Sequence, residues 1–312
     1  MLRLFAFLGA FAMGCAPNLG QPESLVTSTR VLAVRGTPPE ARAGTSIQYD
    51  LLVVSPQGSV ASPEAMWSYC LASRPPGDNN VVSNDCLSDS SQSAMSGPAP
   101  ASSIALPMNS CQLFGPDVPS VENGKPPQAP AVPDSTNGYY QPLRVELPDS
   151  AVDGNPAIGL ERVMCGLANA SSDNAIQYNS NYHANLNPML ADVSAGPMIV
   201  HSAESSASPL TVAASSKVEF TADWPASAAE TFPDYDVSSF TLGHQRESIV
   251  VSWFATDGAF ASDRTGRASD DFATSTGNDW TAPATTGVVH FWVVIRDSRG
   301  GVDFGSFDVT VR

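Results

Sequence analysis

The chain has 312 residues and a formal net charge of −16, because 31 acidic residues outnumber 15 basic ones. This length suffices for about two domains, each with its own core. The acidic balance repels phosphate backbones and therefore argues against nucleic-acid binding. Glycine (23 residues) and proline (26 residues) are frequent, and charged residues make up only 15% of the chain. Such a composition favours a β-rich fold over a helical one.

The chain begins with a short apolar segment. Arg3 supplies one positive charge, residues 4–13 form an apolar run, and small residues follow. This order is the layout of a secretory signal peptide. A membrane-spanning helix needs about 20 apolar residues, so this run is too short to be one. We therefore predict a signal peptide over residues 1–14 and an exported mature chain.

The segment Ala12-Met-Gly-Cys15 closes this leader and resembles the lipobox of bacterial lipoproteins. In that family a small residue precedes a cysteine that becomes the lipid-modified N-terminus of the mature chain. Gly14 and Cys15 match the pattern, while Ala12 stands where a leucine is usual. The resemblance implies lipidation of Cys15, and two or more acyl chains hold a protein stably on a membrane. Ordinary cleavage after Ala12 is the alternative, and it leaves Cys15 as a free thiol.

The residue after Cys15 carries information about the destination of the chain. In the lipoprotein family an aspartate at this position signals retention in the inner membrane, and this chain has Ala16 instead. The resemblance therefore implies an outer-membrane lipoprotein in the cell envelope of a Gram-negative bacterium, with residues 15–28 as a lipid-anchored spacer. The expected partners are the membrane, through the lipid anchor, and an envelope protein or polysaccharide.

Alternating apolar residues predict strands within residues 29–200, which we interpret as an N-terminal β domain. Ile47, Tyr49, Leu51 and Val53 recur at every second position and so share one face of a strand. Further strands are predicted at residues 29–35, 66–71, 143–147 and 160–167. A serine- and proline-rich stretch at about 72–141 interrupts them. Because this composition cannot build its own core, we interpret the stretch as an irregular surface insertion.

Four cysteines remain when Cys15 is set aside: Cys70, Cys86, Cys111 and Cys165. An even number in an exported chain predicts two disulfides, for which three connectivities exist. The four form no C-x-x-C pair, and no histidine lies at zinc-ligand spacing from them, so structural bridges are favoured over a metal site. Because Cys70 and Cys165 both lie in predicted strands, we expect them to pair. The bridge Cys86–Cys111 then closes the intervening loop.

The last third of the chain differs from the preceding part because it has no cysteine that could form a disulfide. Residues 201–209 are mostly small and predict a linker, and residues 210–312 contain no cysteine. Strands are predicted in this second unit at residues 217–222, 248–256, 288–296 and 306–311. Several short strands separated by turns within about one hundred residues favour an antiparallel sandwich.

Two segments of this unit carry a resemblance to a known family. SWFATDGAF at 252–260 and VVHFWVVIRDSRGGVDFGSFDVTV at 288–311 are similar to the central tryptophan strand and the final hairpin of PKD and other bacterial Ig-like domains. The usual W-x-F-G-D-G pattern is altered at 253–258, so Ig-like describes the unit better than PKD. The predicted fold class is therefore all-β, with two sandwich-like units. The first is stapled by disulfides and the second is Ig-like.

No familiar catalytic motif occurs: the sequence has no G-x-S-x-G elbow, P-loop, G-x-G-x-x-G or H-E-x-x-H. Acidic residues in predicted loops of the second unit suggest calcium as the one candidate cofactor, since carboxylate oxygens are its usual ligands. These residues are Asp234, Asp236, Asp257, Asp263, Asp270 and Asp271. No D-x-[DN]-x-[DN]-G loop appears, and the alternative interpretation is that exposed acids keep an exported chain soluble.

Together these patterns predict a lipid-anchored cell-envelope protein that serves as a non-catalytic binding, adhesive or scaffolding module. The alternative is an envelope-tethered hydrolase, such as a carbohydrate-active enzyme, that uses the acidic loop residues. Loss of hydrolysis in Asp257→Asn or Asp270→Asn would support that alternative. Ig-like folds host many functions, so the fold alone does not decide between the two.

Overall fold

A computed structural model describes residues 21–61, 64–73, 82–88, 92–96, 102–117, 132–148 and 152–312. Regular structure in these residues is almost entirely β, which confirms the predicted all-β class. Within these ranges the helical structure consists of two short α-helices, α1 (Ser110–Leu113) and α2 (Ser172–Asn181), and 3-10 turns at Asn84–Leu87 and Ala226–Ala228. No helix in the described part of the chain is long and apolar enough to cross a membrane.

The described residues form strands along the whole length of the chain. The first group is β1 (Arg30–Thr37), β2 (Glu40–Ala41), β3 (Ser46–Ser55), β4 (Gly58–Ser59), β5 (Met66–Cys70), β6 (Gln92–Ser96), β7 (Ser102–Ala105), β8 (Tyr139–Glu146) and β9 (Ala157–Val163). The second group is β10 (Asp192–Ala195), β11 (Met198–Ser202), β12 (Leu210–Val212), β13 (Lys217–Asp223), β14 (Thr231–Asp236), β15 (Thr241–Arg246), β16 (Ile249–Ala255), β17 (Ala259–Phe260), β18 (Arg264–Arg267), β19 (Ser275–Thr281), β20 (Gly287–Asp297) and β21 (Val302–Val311). They assemble into four main sheets and the separate hairpin β14-β15.

The first sandwich packs a sheet of order β1-β3-β4 against a sheet of order β2-β9-β8-β5-β6. The alternation in β3 produces this packing, because Ile47, Tyr49, Leu51 and Val53 are all buried in the core between the two sheets. Trp67 of β5 stacks on Tyr49 with the ring centroids 5.6 Å apart. The shared face predicted for these four residues of β3 is therefore confirmed.

The predicted irregular insertion at 72–141 supplies more regular structure than its composition indicates. Strand β6 extends the second sheet by pairing with β5, and β7 extends the first by pairing with β3. Ile104 of β7 is buried in the first core. The described parts of the insertion thus include edge strands of the sandwich, and the expectation of a purely irregular loop was wrong for them. An edge strand needs only one neighbour, so a few apolar residues within a polar stretch are enough to dock it.

The second sandwich packs the sheet β11-β10-β13-β19-β17 against the sheet β12-β21-β20-β16-β18. Trp253 of β16 is fully buried between them, and Phe291 stacks on Phe307. In the strand lettering of the Ig fold, β10, β13 and β19 correspond to strands A, B and E of one sheet. Strands β16, β20 and β21 correspond to strands C, F and G of the other. This division and the buried tryptophan on strand C are features of the Ig fold, and they agree with the predicted Ig-like sandwich.

The strand pairing differs from the predicted boundary between the two units. Strand β10 pairs with β13, and β11 pairs with β10, so both belong to the second sandwich although residues 192–200 were assigned to the first domain. Val193 and Val200 accordingly lie in the second core. The small residues at 203–209 connect two sheets of one sandwich. Their composition indicates a loop, but it does not reveal which elements the loop connects.

A third apolar core joins the two sandwiches. Leu52 and Val54 of β3 point away from the first core and cluster with Trp292 and Val294 of β20. Strands β3 and β20 are therefore buried on both faces. This explains why their sequences, LLVV and FWVVI, are continuous apolar runs instead of strict alternations.

Two disulfides staple the first sandwich, as the cysteine count predicts, but the expected connectivity was wrong. The bridges are Cys70–Cys86 and Cys111–Cys165, and they replace the expected Cys70–Cys165 and Cys86–Cys111. In the sheet order β9-β8-β5, strand β8 separates the strand that ends at Cys70 from the strand that precedes Cys165. Strands two places apart lie about 10 Å from each other, beyond the Cα–Cα reach of a disulfide at about 7 Å.

Replacing both Cys70 and Cys86 by serine is expected to lower the free energy of unfolding by about 3 kcal/mol, because the bridge closes a loop with a sequence separation of 16. Urea denaturation of the double variant and the wild type measures this difference. Peptide mapping of the non-reduced protein checks the connectivity. A peptide pair joined through Cys70 and Cys165 would contradict it.

Candidate functional site

Arg299 lies in the turn between β20 and β21, and its side chain is about 1% exposed. The sequence DSRGG shapes this turn. Asp297 Oδ1 accepts hydrogen bonds from the backbone amides of Arg299 and Gly301, both at 2.8 Å. Gly300 adopts a φ of +99°, which residues with side chains rarely adopt. The turn thereby directs the guanidinium group toward Glu40 of the first sandwich, 3.7 Å away.

The guanidinium group of Arg299 binds groups on several elements. Nε donates to Glu247 Oε1 at 2.6 Å, and Nη2 donates to Glu230 Oε2 at 2.8 Å. Nη1 donates to the carbonyl of His183 at 3.1 Å. Glu230 and Glu247 belong to the second sandwich, whereas Glu40 belongs to the first. One buried side chain therefore contacts both units.

Arg162 of β9 forms the second half of this cluster, and it is also about 1% exposed. Nε donates to Glu40 Oε1 at 3.2 Å. Nη1 donates to Thr136 Oγ1 at 2.6 Å and to Tyr140 OH at 3.0 Å. Nη2 donates to the carbonyl of Thr136 at 2.9 Å and to Tyr182 OH at 3.4 Å. All five N–H groups of Arg162 are thereby paired.

Glu40 lies between the two arginines and also accepts hydrogen bonds from the segment that follows α2. Its Oε1 accepts a hydrogen bond from Tyr182 OH at 2.6 Å, and its Oε2 accepts one from the backbone amide of Asn185 at 2.8 Å. Ser171 precedes helix α2 as its N-cap, because its hydroxyl accepts a hydrogen bond from the amide of Asn174. The helix therefore delivers Tyr182 and Asn185 to the junction of the sandwiches.

The acids of this cluster outnumber its bases. The carboxyl groups are those of Glu40, Asp134, Glu230, Glu247 and Asp297, and they face two guanidinium groups. Burial and the neighbouring carboxylate of Asp297 raise the pKa of Glu247 to about 7, although the charge and hydrogen bond of Arg299 oppose this shift. Burial likewise raises the pKa of Asp297. Part of the excess negative charge is therefore relieved by a proton that the cluster holds near neutral pH.

A pocket of about 180 Å³ opens beside the cluster, and its lining includes Glu40, Arg42, Arg162, Tyr178 and Tyr182. Arg162 has no free N–H to offer a ligand there, because every donor is used within the protein. The cluster is thus suited to joining the two sandwiches by charge-assisted hydrogen bonds. Breaking such a buried set by removing one charged partner is strongly destabilising.

The acids proposed as calcium ligands are engaged locally. Among the described residues, no group of three or more Asp, Glu, His or Cys is arranged to hold a metal ion. Asp236 accepts from the hydroxyls of Ser238 and Ser239, and Asp271 pairs with Arg267 at 3.1 Å. The calcium prediction gains no support from these contacts.

Most of the remaining acids proposed as calcium ligands also accept hydrogen bonds from protein groups. Asp234 accepts from the side-chain amide of Asn137, and Asp257 accepts from the backbone amide of Gly258. Asp263 accepts from the backbone amide of Ser24 at 3.3 Å, and Asp270 is exposed in a turn. No contact joins Asp257 to Asp270, the two acids of the alternative hydrolase, in the described structure.

The predicted lipidation site, Cys15, and the signal peptide at 1–14 lie outside the described residues, so lipidation stays a prediction. The predicted spacer at 15–28 is described from residue 21. Val26 is fully buried in the third core, and its amide donates to the carbonyl of Ala255 at 2.9 Å. The end of the spacer is therefore part of the fold, because Val26 fills apolar space at the junction.

No sequence pattern points to Arg162, Arg299 or Glu40 as site residues. All three are charged residues in strands or turns, and such residues usually lie on the surface. Their burial depends on contacts between residues far apart in the chain, such as Arg162 with Glu40 across 122 positions. The one local signal is the DSRGG turn, which predicts the position of Arg299 but not its partners.

No protein-family model matches the chain, and no curated protein matches it. Similar solved structures include the D00-D0 domain of intimin, at 10% identity over 90% of this chain and 98% of that chain, with a TM-score of 0.21. An α2-macroglobulin mutant from Salmonella matches at 9% identity over 92% of this chain and 15% of that chain, with a TM-score of 0.24. Murine CEACAM1b matches at 9% identity over 91% of this chain and 100% of that chain, with a TM-score of 0.21.

Identities and TM-scores this low carry no argument about function. The class of the protein follows instead from its own strand pairing, from the buried Trp253 and from the two disulfides. These features define an all-β protein of two sandwiches, the second of them Ig-like.

Proposed function

We propose that this protein is a lipid-anchored, non-catalytic binding module of the cell envelope, whose two sandwiches act as one rigid body. The observation that carries the proposal is the buried junction. Arg299 pairs with Glu247 of the second sandwich and lies 3.7 Å from Glu40 of the first. Leu52 of the first sandwich packs with Trp292 of the second in an apolar core between them. Binding surfaces are commonly carried on loops that a rigid scaffold positions, and a fixed pair of sandwiches is such a scaffold.

The proposed location is the outer membrane of a Gram-negative cell, and the proposed partner is an envelope protein or polysaccharide. The lipobox-like segment that ends at Cys15 supports the anchor. The chain is strongly acidic, with 31 acidic and 15 basic residues, so anionic head groups repel it. Attachment through acyl chains is therefore more effective than attachment through charge.

Cys15→Ser is expected to release the protein from the membrane, because this thiol is the proposed attachment point of the lipid. We expect the wild type to sediment with membranes and to show a mature N-terminus at Cys15 with added acyl mass. The variant should appear in the soluble fraction without that mass. Intact-mass analysis combined with cell fractionation makes both measurements. Asn18→Ala keeps the cysteine and should remain with the membrane, and an unlipidated wild-type chain that begins at Met13 would contradict the anchor.

A further inference from the structure

Three arginines line one groove between the two sandwiches. They are Arg30 of β1, Arg264 of β18 and Arg296 of β20. The groove has a volume of about 600 Å³, and Phe254 and Val250 are among its apolar lining residues. The whole chain has only 15 basic residues against 31 acidic ones, whereas the lining of this groove has three arginines against two acids, Glu23 and Asp297.

Arg296 has unused hydrogen-bond donors. Its Nη2 donates to the carbonyl of Leu32 at 2.8 Å, while Nε and Nη1 donate to no atom of the described residues. No carboxylate in the described structure lies within ion-pair distance of this guanidinium group. Burial lowers the pKa of Arg296, and the like charge of Arg264 lowers it further. The protein therefore leaves this positive charge uncompensated.

Arg30 adds a second guanidinium group with an unused donor. Its Nη2 donates to the carbonyl of Glu23, and the guanidinium group lies over the ring of Phe254, 5.3 Å from the centroid. Its Nε is buried and has no hydrogen-bond partner. Burial lowers the pKa of Arg30, although the charges of Asp153, Glu23 and Asp263 oppose this effect.

The acids that border the groove do not neutralise it. Glu23 pairs with Arg264 at 2.8 Å, but the two side chains are 70% and 63% exposed, and such surface pairs are weak. Asp297 also lines the groove, yet both of its oxygens accept from the side-chain amide of Asn185. Arg299, in the turn that follows β20, differs from Arg296 because its guanidinium group is paired with the carboxylates of Glu230 and Glu247.

We propose that this groove binds an oxyanion, a carboxylate or phosphate group carried by a ligand. Arg296 and Arg264 hold the anion, since a guanidinium group matches the geometry of both oxyanions with parallel N–H donors. Phe254 and Val250 contact the carbon skeleton of the ligand. The inference rests on the proposed function as a binding module, and it names the chemistry of what is bound.

Isothermal titration of the purified full chain tests the proposal with three probes. These are inorganic phosphate, trigalacturonate as a carboxylate-bearing sugar, and maltotriose as a neutral sugar. Saturable binding of phosphate alone or of trigalacturonate alone supports the proposal and assigns the source of the oxyanion. Binding of both supports a general oxyanion site. Absence of saturable binding for both anions, or equally strong binding of maltotriose, overturns it.

Variants locate the binding. Arg296→Met and Arg264→Met should each weaken anion binding at least tenfold, whereas Lys217→Met, which removes a surface charge paired with Asp279, should change it less than twofold. Arg264 is largely exposed, so its variant remains informative if Arg296→Met fails to fold. Unchanged binding in Arg264→Met and Arg296→Met overturns the assignment to this groove. Membrane attachment through Cys15 is measured separately, so failure of the anchor and failure of the groove are distinguishable.

Discussion

Arg299→Met is expected to lower the free energy of unfolding by about 3–5 kcal/mol. Methionine is similar in length but carries no charge, so the substitution leaves the carboxyl groups of Glu230 and Glu247 buried or half-buried without their partner. Both now accept charge-assisted hydrogen bonds from Arg299, at 2.8 Å and 2.6 Å. Chemical denaturation in urea, followed by tryptophan fluorescence, measures the loss.

Arg299→Met is also expected to change how the two sandwiches unfold relative to each other. Because its side chain contacts Glu40 of the first unit and Glu247 of the second, we expect the wild type to unfold in one transition. In Arg299→Met the two sandwiches should separate into two transitions, which differential scanning calorimetry detects. This result would connect the ionic cluster directly to the proposed rigid body.

Lys217→Met provides the matched control for this measurement. Lys217 pairs with Asp279 at 2.8 Å, but the two side chains are 66% and 40% exposed. Exposed pairs of this kind contribute about 0–1 kcal/mol, so this variant should unfold almost as the wild type does. An equal loss in both variants would contradict a special role for the buried cluster.

The strand content of this protein could be predicted from the sequence where one face of a strand is buried. Ile47 and Tyr49 alternate with polar residues, and both lie in the first core. The alternation fails in β20, where Trp292 and Val293 are neighbours and both are buried. The reason is that β20 contacts a core on each face, one of which belongs to the junction. The extent of the second sandwich was harder to predict because β10 and β11 precede the apparent linker.

The candidate site could not be predicted, because its chemistry arises from tertiary contacts. Glu40 and Arg162 look like ordinary surface residues in the sequence, and only the parallel pairing of β2 with β9 brings them together. The disulfides illustrate the same limit. The number of bridges follows from the cysteine count, whereas the connectivity depends on β8 lying between β5 and β9.

Glu161→Gln is expected to make the stability of the protein less dependent on pH. Glu161 is buried in the core of the first sandwich at about 2% exposure, where Oε2 accepts from Tyr49 OH at 3.1 Å and Oε1 has no partner among the described residues. The pKa of Glu161 is raised from 4.5 to about 8, mainly by burial and to a lesser extent by the charge of Glu40, while the hydrogen bond from Tyr49 opposes the shift. The folded protein therefore keeps this carboxyl group protonated at neutral pH.

The sign of the effect follows from proton binding. Between pH 4.5 and about pH 8 the folded state holds a proton on Glu161 that the unfolded state releases. The stabilisation is fully present below pH 4.5 and is lost as the pH rises through 8. The change in pKa corresponds to a loss on the order of 5 kcal/mol across this window. Glutamine is neutral at every pH and retains an acceptor for Tyr49 OH, so the variant should lack this part of the loss.

Urea denaturation at pH 5.0, 7.0 and 8.5 tests this expectation. The wild type and Glu161→Gln should have similar free energies of unfolding at pH 5.0, and the variant should be clearly the more stable of the two at pH 8.5. Glu247, whose pKa burial raises to about 7, leaves a smaller slope in both proteins. Glu204→Gln, at an exposed position, should follow the wild type at every pH. If Glu161→Gln were as pH-dependent as the wild type, Glu161 would have to be ionised in the folded protein, and the neutral buried carboxyl group would be ruled out.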